Sequence, residues 1–168
     1  MILQDLIKPN LDVVFCGTAV GNKSADEKLY YAKSGNEFYS ILLKIGLTQK
    51  RINPSEYKTL LDYNIGLTDI AKDVSGNDNQ LNDEDFNRDS FVEKIKKFNP
   101  KFVCFNGKKA AAVFLYNNPK KTKQVSYGLL NNTIGTTKLF VAPSTSGNAK
   151  NYWDENIWFS LKNEINNG

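Results

Sequence analysis

The sequence predicts one α/β domain over residues 1–168, with three layers (α/β/α) and a central, mainly parallel sheet. Short apolar runs at 12–17 (DVVFCG), 101–107 (KFVCFNG) and 137–142 (TKLFVA) predict buried strands. Stretches with helical periodicity lie between and after these runs. Apolar strands that alternate with helices are typical of a parallel sheet covered on both faces. Ligands bind such sheets at the carboxyl ends of the strands.

The first predicted helix follows the first strand and covers residues 34–47. Ser34 is expected to cap it, and Glu37, three residues later, to complete a capping box. Gly46 is expected to end it. Its apolar stripe consists of Phe38, Ile41, Leu42 and Ile45.

A second helix is predicted over residues 53–64, with Pro54 in its first turn. Either Asn53 or Ser55 would cap it. Residues 65–70 (IGLTDI) follow as a short extended piece. No internal repeat, linker or low-complexity tract interrupts the chain, so a single domain is expected.

Three further helices are predicted in the second half of the chain, over 82–100, 108–117 and 151–166. The first of them is amphipathic and is stopped by Pro100. Its inward-facing residues are Phe91, Ile95 and Phe98. The apolar face of the last helix consists of Trp153, Ile157, Trp158, Leu161 and Ile165.

The absence of histidine limits the chemistry of this chain. Ser-His and Cys-His nucleophile pairs are excluded, and the commonest general base is missing. Cys16 and Cys104 lie in apolar runs and are expected to be buried, reduced thiols. Two Cys without His cannot form an iron–sulfur or ordinary structural zinc site, so we expect no metal and no cofactor. Any catalysis must use carboxylates, amides, hydroxyls, lysines or backbone groups.

The net charge of +4 is modest, but its distribution is uneven. From Lys94 to Lys150 the chain contains many lysines and no Asp or Glu. A long basic segment without acids suits a polyanion such as nucleic acid. A lysine-rich surface in a Lys/Asn-biased chain would give the same pattern, so charge alone leaves both interpretations open.

The cellular location is predicted from the lack of membrane and export signals in the sequence. No apolar run reaches the roughly 18–20 residues that a membrane span needs. The first ten residues, MILQDLIKPN, lack a basic region followed by a long apolar core, so no signal peptide is expected. We expect a cytoplasmic monomer.

Three loops fall at the ligand edge of the predicted sheet: 17–25 (GTAVGNKSA), 106–111 (NGKKAA) and 143–150 (PSTSGNAK). Together and in this order they resemble the mismatch-specific uracil/thymine-DNA glycosylase branch of the uracil-DNA glycosylase superfamily. Stretches similar to the same family are 7–17, 30–48 and 60–72. The resemblance covers most of the chain and implies a uracil-DNA glycosylase-like fold, a DNA substrate and hydrolysis of an N-glycosidic bond.

The chain departs from this family at the first loop. Better-studied members carry Gly-Ile-Asn-Pro-Gly, in which the Asn side chain positions the attacking water. This chain has Gly17-Thr18-Ala19-Val20-Gly21, so Ala19 stands where the Asn is expected. A methyl group cannot orient water, and related branches that lack the Asn rely on other polar residues. The resemblance implies that backbone groups around Thr18 and Ala19 face the base and the sugar, and that the Thr18 hydroxyl could add a further polar contact.

Two residues are candidates to replace the missing amide. Asn36, at the start of a predicted helix, is the first choice to orient the water, although it could simply cap that helix. Asp69 is the second choice, since a carboxylate near the sugar could act as a base or offset cationic charge. Asp69 could also be an ordinary turn or cap residue.

The resemblance also assigns residues that hold the departing base. Tyr31 is expected to stack on the flipped base, which is worth about 1–3 kcal/mol per base. Asn106 could pair with the polar edge of uracil or, rotated, of cytosine, because an amide offers both donor and acceptor. Each could instead be structural, as a buried aromatic and a turn Asn. The full set assigned to the base is Gly17, Gly21, Ser24, Tyr31 and Asn106.

The DNA backbone is expected to contact the other two loops. Lys108, at a helix N-terminus, occupies a natural phosphate position. The resemblance makes Ser144 and Ser146 phosphate contacts and makes 147–149 the wedge that fills the gap left by the flipped base. The set assigned to DNA is Lys108, Ser144, Ser146, Gly147, Asn148, Ala149 and Lys150. The same loop could instead only turn the chain and cap the last helix.

Three functions fit these observations. The leading one is a monofunctional DNA glycosylase that removes uracil or a related damaged base. The second is a DNA-binding module that kept the fold but lost catalysis with the missing Asn. The third is a nucleotide or small-phosphate enzyme that uses the same loops.

Overall fold

The computed structural model describes residues 2–73, 75–76 and 86–168. The strands are β1 (Val13–Gly17), β2 (Ile65–Asp69), β3 (Phe102–Asn106), β4 (Gly128–Ile134) and β5 (Thr137–Ala142). They form one five-stranded sheet in the order β2-β1-β3-β5-β4. All neighbours pair in parallel except β4, which runs antiparallel to β5 at one edge. The predicted mainly parallel sheet is confirmed.

Layers of helix cover both faces of this sheet. The α-helices are α1 (Asn22–Glu27), α2 (Phe38–Lys44), α3 (Arg88–Phe98), α4 (Lys108–Tyr116) and α5 (Glu155–Asn167). Three 3₁₀ segments are Pro54–Tyr63, Thr122–Gln124 and Gly147–Tyr152. Every residue of β1, β2 and β3 is buried, because helices or loops lie against both sides of these strands.

Alternate side chains of the strands enter two separate apolar clusters. In the first, Phe15 of β1 packs against Phe38 of α2 and Trp158 of α5. In the second, Phe105 of β3 packs against Phe91 of α3 and Phe114 of α4. One cluster on each face confirms the three-layer α/β/α arrangement.

Helix starts differ from the sequence predictions in three places, one of which is the helix predicted over 82–100, which begins at Arg88 with Asn87 as its N-cap. The helix predicted from Ser34 begins at Phe38, and Ser34 does not cap it, because residues 34–35 form a turn instead. The last helix begins at Glu155 rather than at residue 151, with the Asp154 side chain accepting a hydrogen bond from the N–H of Asn156. A turn closed by the hydrogen bond from the N–H of Asn36 to the carbonyl of Lys33 precedes α2, and the 3₁₀ segment Gly147–Tyr152 precedes α5.

The segment at Pro54–Tyr63 is 3₁₀ in hydrogen bonding rather than α-helical. Asn53 is its N-cap, in a capping box with Glu56, so the Asn53 alternative is confirmed and Ser55 is not the cap. Gly46, with φ +83°, follows Ile45, the C-cap of α2, and donates its N–H to the carbonyl of Leu43, which confirms it as the helix stop.

One α-helix and one strand were not predicted, nor were the 3₁₀ segments Thr122–Gln124 and Gly147–Tyr152. α1 starts directly after Gly21, although the sequence indicated no helix at that point. β4 was also missed, because this edge strand is largely exposed and has no continuous apolar run. The predicted residues 82–85 lie outside the described part of the chain.

The remaining general predictions concern thiols and membrane spans. Cys16 and Cys104 are both buried and free, as predicted. Within 2–73, 75–76 and 86–168 no helix combines the length and the hydropathy required to cross a bilayer.

Candidate active site

Four parallel strands end at the same edge of the sheet. β1 ends at Gly17, β2 at Asp69, β3 at Asn106 and β5 at Ala142. The loops that follow β1, β3 and β5 are the three loops that the sequence placed at a ligand edge. The structure therefore brings them together and adds the carboxyl end of β2.

Gly17 and Asp69 are directly opposite each other in the β1–β2 ladder. A Cβ atom on Gly17 would lie 2.8 Å from Asp69 Oδ1 and 3.8 Å from the Tyr31 hydroxyl oxygen. The lack of a side chain at Gly17 thus allows the carboxylate to lie against the β1 backbone. Three residues that were separate sequence candidates converge on one point.

Asp69 is the buried acid of this site, with 4% of its surface exposed. Its Oδ2 atom lies 3.5 Å from Lys72 Nζ, and among the described residues it accepts no hydrogen bond. Burial raises the pKa of Asp69 to about 6, while the Lys72 ammonium opposes that rise. A carboxyl group that titrates near neutral pH can serve as a general base.

The first loop is pinned by its carbonyl groups. N–H groups of the segment after β2 donate to them: Ile70 to Gly17, Ala71 to Thr18 and Gly76 to Val20. These hydrogen bonds hold the loop against the segment that follows Asp69.

The side chains of this loop differ in accessibility. Thr18 is buried and Ala19 is half-buried. Gly21 has φ −67°, and a Cβ there would meet nothing within 4 Å. Neither conformation nor space therefore requires glycine at position 21, whereas the close approach of Asp69 requires it at Gly17, and contact of either residue with a base stays a prediction.

Tyr31 lies at this edge in the left-handed region, with φ +53°. Its ring stacks on Phe38, with centroids 4.0 Å apart and planes at 24°. Burial, with the nearby Asp69 charge, raises the pKa of its phenol well above the usual value, and the Asn106 side chain opposes the rise. Because Phe38 covers one face of the ring, a flipped base could stack only on the other face.

Ser24 contacts the chain just beyond Tyr31. It is buried in α1, and its hydroxyl oxygen accepts a hydrogen bond of 2.9 Å from the N–H of Ala32. This bond ties α1 to the segment that carries Tyr31. The structure thus shows Ser24 supporting the site, and its contact with a base stays a prediction.

Asn36 lies just before α2 and is half-buried. Its Oδ1 atom accepts a 3.0 Å hydrogen bond from the N–H of Phe38, so it helps to start that helix. An amide oxygen has two lone pairs, so this bond does not exhaust it as an acceptor. Glu37, not Asn36, is the N-cap of α2, so the cap alternative is wrong in its strict form, and the water-orienting role of Asn36 stays a prediction.

Asn106 holds the third loop in place. Its Oδ1 accepts from the N–H of Thr145 at 3.0 Å, and its Nδ2 donates to Thr145 Oγ1 at 2.9 Å. Both residues are buried. The amide therefore clamps the loop to β3, and base pairing by Asn106 stays a prediction that must use its remaining lone pair or N–H.

The third loop also packs on the segment that contains Asn36. The Thr145 carbonyl accepts a 2.9 Å hydrogen bond from the N–H of Glu37. A Cβ on Gly147 would lie 3.5 Å from the carbonyl oxygen of Gly35. The third loop and the residues just before α2 therefore pack directly against each other.

Local hydrogen bonds shape the tip of the third loop. The Ser144 hydroxyl accepts from the N–H of Ser146, and the Ser146 hydroxyl accepts from the N–H of Asn148. Ser146 thereby caps the 3₁₀ segment Gly147–Tyr152, not the last helix. Asn148 and Lys150 are exposed, and Ala149 is half-buried.

The second loop presents a lysine at the start of α4. Gly107 precedes it with φ +102°, and a Cβ there would come within 3.3 Å of Ser144 Cβ. Lys108 lies over the Tyr127 ring, with Nζ 4.4 Å from the centroid. Gly107, just before α4, and the third loop are thus neighbours, and contact of Lys108 or the third loop with DNA stays a prediction.

Sequence reasoning missed two residues that organise this site. Thr145 lies within the quoted loop, but its role depends on Asn106, which is distant in the chain. Lys72 follows β2 closely, and its spacing from Asp69 could have indicated a charge pair. Amino-acid composition indicates neither role, because one depends on the contact between Thr145 and Asn106 and the other on the contact between Lys72 and Asp69.

The family model described as "Uracil DNA glycosylase superfamily" matches residues 4–165. A solution NMR structure of a protein from Methanosarcina acetivorans, named as a candidate uracil DNA glycosylase, is similar with a TM-score of 0.67 and 21% identity. That match covers 98% of this chain and 96% of the other. At this level of identity the structural likeness concerns the fold.

Proposed function

The chain belongs to the uracil DNA glycosylase superfamily, and from this we propose that it releases uracil, or a related deaminated or mismatched base, from DNA and leaves an abasic site. The membership confirms the sequence-based resemblance at the level of the superfamily. The mismatch-specific branch and the identity of the base belong to the proposal.

One observation supports catalysis most directly. A buried carboxyl group, Asp69, titrates near neutral pH at the edge where Gly17 and Tyr31 meet it. Perturbed acids at a ligand edge are typical of functional sites. This carboxylate is available although Ala19 cannot supply the usual amide.

We propose that water attacks C1′ of the deoxyribose as the N-glycosidic bond breaks. The bonding electrons leave with the base, and the Asp69 carboxylate accepts the proton that the water loses. The same negative charge stabilises positive charge that develops on the sugar. Asn36 positions the water through the acceptor capacity that its bond to Phe38 leaves.

The departing base is stabilised by groups that need no metal. Backbone N–H groups of the loop at Thr18 and Ala19 face the base anion in this proposal, acting as an oxyanion-hole-type site. Tyr31 stacks on the flipped base with the ring face that Phe38 leaves. Asn106 completes the pocket from β3.

The reaction is proposed to be monofunctional. A lyase would need a lysine that attacks the sugar, and Lys72 is the lysine beside Asp69 in the described structure. Its Nζ atom is held 2.9 Å from Asp5 and donates to the Tyr30 hydroxyl. An ammonium that is fixed by these partners is a poor nucleophile.

The DNA backbone is proposed to follow the third loop and Lys108. If Lys150 contacts a phosphate, Lys150→Gln is expected to weaken DNA binding at 100 mM salt and to reduce the slope of log K against log salt by about 1. Fluorescence anisotropy with an uncleavable duplex measures both quantities.

The matched control for this prediction is Lys97→Gln. Lys97 lies in the last turn of α3, which leads into the amino end of β3 on the opposite edge of the sheet. An equal change of slope in both variants would show that Lys150 has no specific contact with DNA.

The function is tested by incubating the protein with duplexes that carry G:U, G:T, A:U or hypoxanthine, and with single-stranded uracil DNA. Strand nicks that appear only after alkali are expected for at least one substrate. Nicks before alkali would contradict the monofunctional proposal.

The alternative is a DNA-binding module of the same fold without catalysis. It is favoured by the methyl group of Ala19 and by the deep burial of Asp69. Salt-sensitive DNA binding without nicks on any substrate would support this alternative. No DNA binding at low salt would contradict both functions and favour an enzyme acting on nucleotides or small phosphates.

A further inference from the structure

A cluster of largely buried charged side chains adjoins Asp69 through its neighbour Lys72. Asp5 Oδ1 is 2.9 Å from Lys72 Nζ, and Asp5 Oδ2 is 2.6 Å from Lys94 Nζ. The Thr68 hydroxyl donates to Asp5 Oδ1 at 2.7 Å and accepts from Lys94 Nζ at 3.2 Å. The side chains of Asp5, Lys72 and Lys94 are all less than one-fifth exposed.

The cluster joins distant parts of the chain. Asp5 comes from the N-terminal segment, Thr68 from β2, Lys94 from α3, and Lys72 from the segment after β2. Burying four charged groups, including Asp69, is costly unless they are paired. Apolar residues in these positions would stabilise the fold about equally well. The largely buried charges therefore point to a role in the function of the neighbouring Asp69 rather than in stability.

The orientation of Lys72 supplies that reason. Its Nζ atom lies 2.9 Å from Asp5 and 3.5 Å from Asp69, and it donates to the Tyr30 hydroxyl at 3.1 Å. Asp69 Oδ2 is buried without a hydrogen bond from any described residue. Among the described residues, Lys72 is therefore the positive charge that pairs with this carboxylate, and Lys94 acts on it from farther away.

We propose that Lys72 is a positioning residue that keeps Asp69 ionised for base release, and that Asp5 limits this effect by holding Lys72. Asp5 is itself paired with Lys94, so the ion pairs Lys94–Asp5 and Asp5–Lys72 together influence the ionisation of Asp69. This inference rests on the proposed function for its activity measurement, but its charge measurement does not.

Other titratable groups also face Asp69. They are Asp5 and Lys94 from the cluster, Cys16 of β1, and Tyr30 and Tyr31 from the segment after α1. Burial raises the pKa of Cys16 well above its usual value, and both tyrosines are raised likewise, so all three are neutral near pH 6. The charged groups that act on Asp69 at that pH are therefore Lys72, Asp5 and Lys94.

The proposal predicts opposite effects for two substitutions. Lys72→Met removes the nearest positive charge, so the titration midpoint of Asp69 is expected to rise by about one pH unit or more. Asp5→Asn removes a negative charge and leaves both lysines uncompensated, so the midpoint is expected to fall. Lys72→Arg keeps the charge and is expected to stay close to the wild type.

The charge measurement uses ¹³C NMR of protein labelled with carboxyl-¹³C aspartate, with Asp69→Asn assigning the resonance. The control is Lys101→Met, which breaks an exposed ion pair to Asp12 at the amino end of the sheet and should leave Asp69 unchanged. The acidic limb of the pH–rate profile for base release is expected to move with each NMR midpoint.

The outcomes separate the inference from the proposed function. Midpoints that do not move, or that move in the same direction in both variants, would overturn the inference. If Lys72→Met does not fold, a fall of the midpoint in Asp5→Asn supports the inference and an unchanged or raised midpoint overturns it. Expected NMR shifts in a protein that releases no base would support charge control by Lys72 and contradict the glycosylase function alone.

Discussion

Asp69→Asn is expected to slow base release by roughly 10²-fold or more, the scale of a single general base or charge-stabilising group. The substitution keeps the size of the side chain but removes its charge and its proton-accepting capacity. Single-turnover release of uracil from a duplex measures the effect without interference from slow product release. Asp12→Asn, at the amino end of the sheet, is the matched control and should retain the wild-type rate.

The pH dependence of the wild type follows from the same residue. Burial raises the pKa of Asp69 to about 6, so the ionised form dominates above that pH. Base release is therefore expected to rise as the pH increases through about 6. The Asp69→Asn variant should lose this limb, and a profile unchanged from the wild type would contradict the role of Asp69.

The effect on stability has the opposite sign to the effect on activity. The folded-state pKa of Asp69 is raised from 3.8 to about 6, so the folded protein binds this proton more tightly than the unfolded chain. Stability from this group is present below pH 3.8 and is lost as the pH rises through about 6. Asp69→Asn should therefore not lower the thermal midpoint at pH 7, which separates loss of function from loss of fold.

Asn36 provides the companion test. Asn36→Ala is expected to slow release by roughly 10²-fold if its amide orients the water. It also removes the acceptor for the Phe38 N–H, which costs about 0.5–2 kcal/mol of stability. Urea unfolding of Asn36→Ala measures that stability cost separately from the rate of release. Near-normal rates for both Asn36→Ala and Asp69→Asn would refute the proposed mechanism.

Trp158→Ala is expected to lower the free energy of unfolding by about 3–5 kcal/mol. Trp158 has 0% exposure, and its ring stacks on Phe15 at 5.7 Å. Its Nε1 atom also donates a 3.1 Å hydrogen bond to the carbonyl of Pro143, the first residue of the third loop. The substitution therefore leaves both a cavity and a buried carbonyl without a donor.

Trp158→Phe separates these two effects. It retains much of the ring but removes the N–H, so a loss of about 1–3 kcal/mol is expected from the carbonyl of Pro143. The third loop should become looser, and affinity for an uncleavable duplex should fall more than stability alone explains. Urea unfolding measures stability, and anisotropy measures the affinity.

Phe159→Ala is the control for the tryptophan series. Phe159 is the next residue of α5 but is 38% exposed, so its removal should change stability little. A loss below 1 kcal/mol for Trp158→Ala, or an equal loss for Phe159→Ala, would contradict the packing described here.

Several features could be predicted because they depend on local sequence. The apolar runs that form β1, β3 and β5 are bounded by turn residues, and the residues of β1 and β3 are buried throughout. Gly46 ends α2 because a positive φ favours glycine. β4 was not predicted, because an exposed edge strand needs no continuous apolar run. Its hydrogen bonds come from β5, its partner in the sheet.

The candidate site was predicted as a set of residues but not as an arrangement. Asn36 and Asp69 are both predicted as replacements for the missing amide, one as an amide that orients water and the other as a carboxylate near the sugar. Their environments differ: Asn36 is half-buried at a helix start, and Asp69 is buried beside Lys72. Sequence spacing cannot show burial, and burial is what raises the pKa of Asp69.

The sequence by itself determined the layered α/β fold and the loops that meet at one edge, because hydrophobic periodicity and turn residues act over a few neighbouring positions. The tertiary structure decided which polar groups interact. Asp5 reaches Lys94 across the sheet edge, and Asn106 binds Thr145 across a wide separation in the chain. Such pairs depend on the energy of burying charge and amide groups together, which exists only once the chain has folded around them.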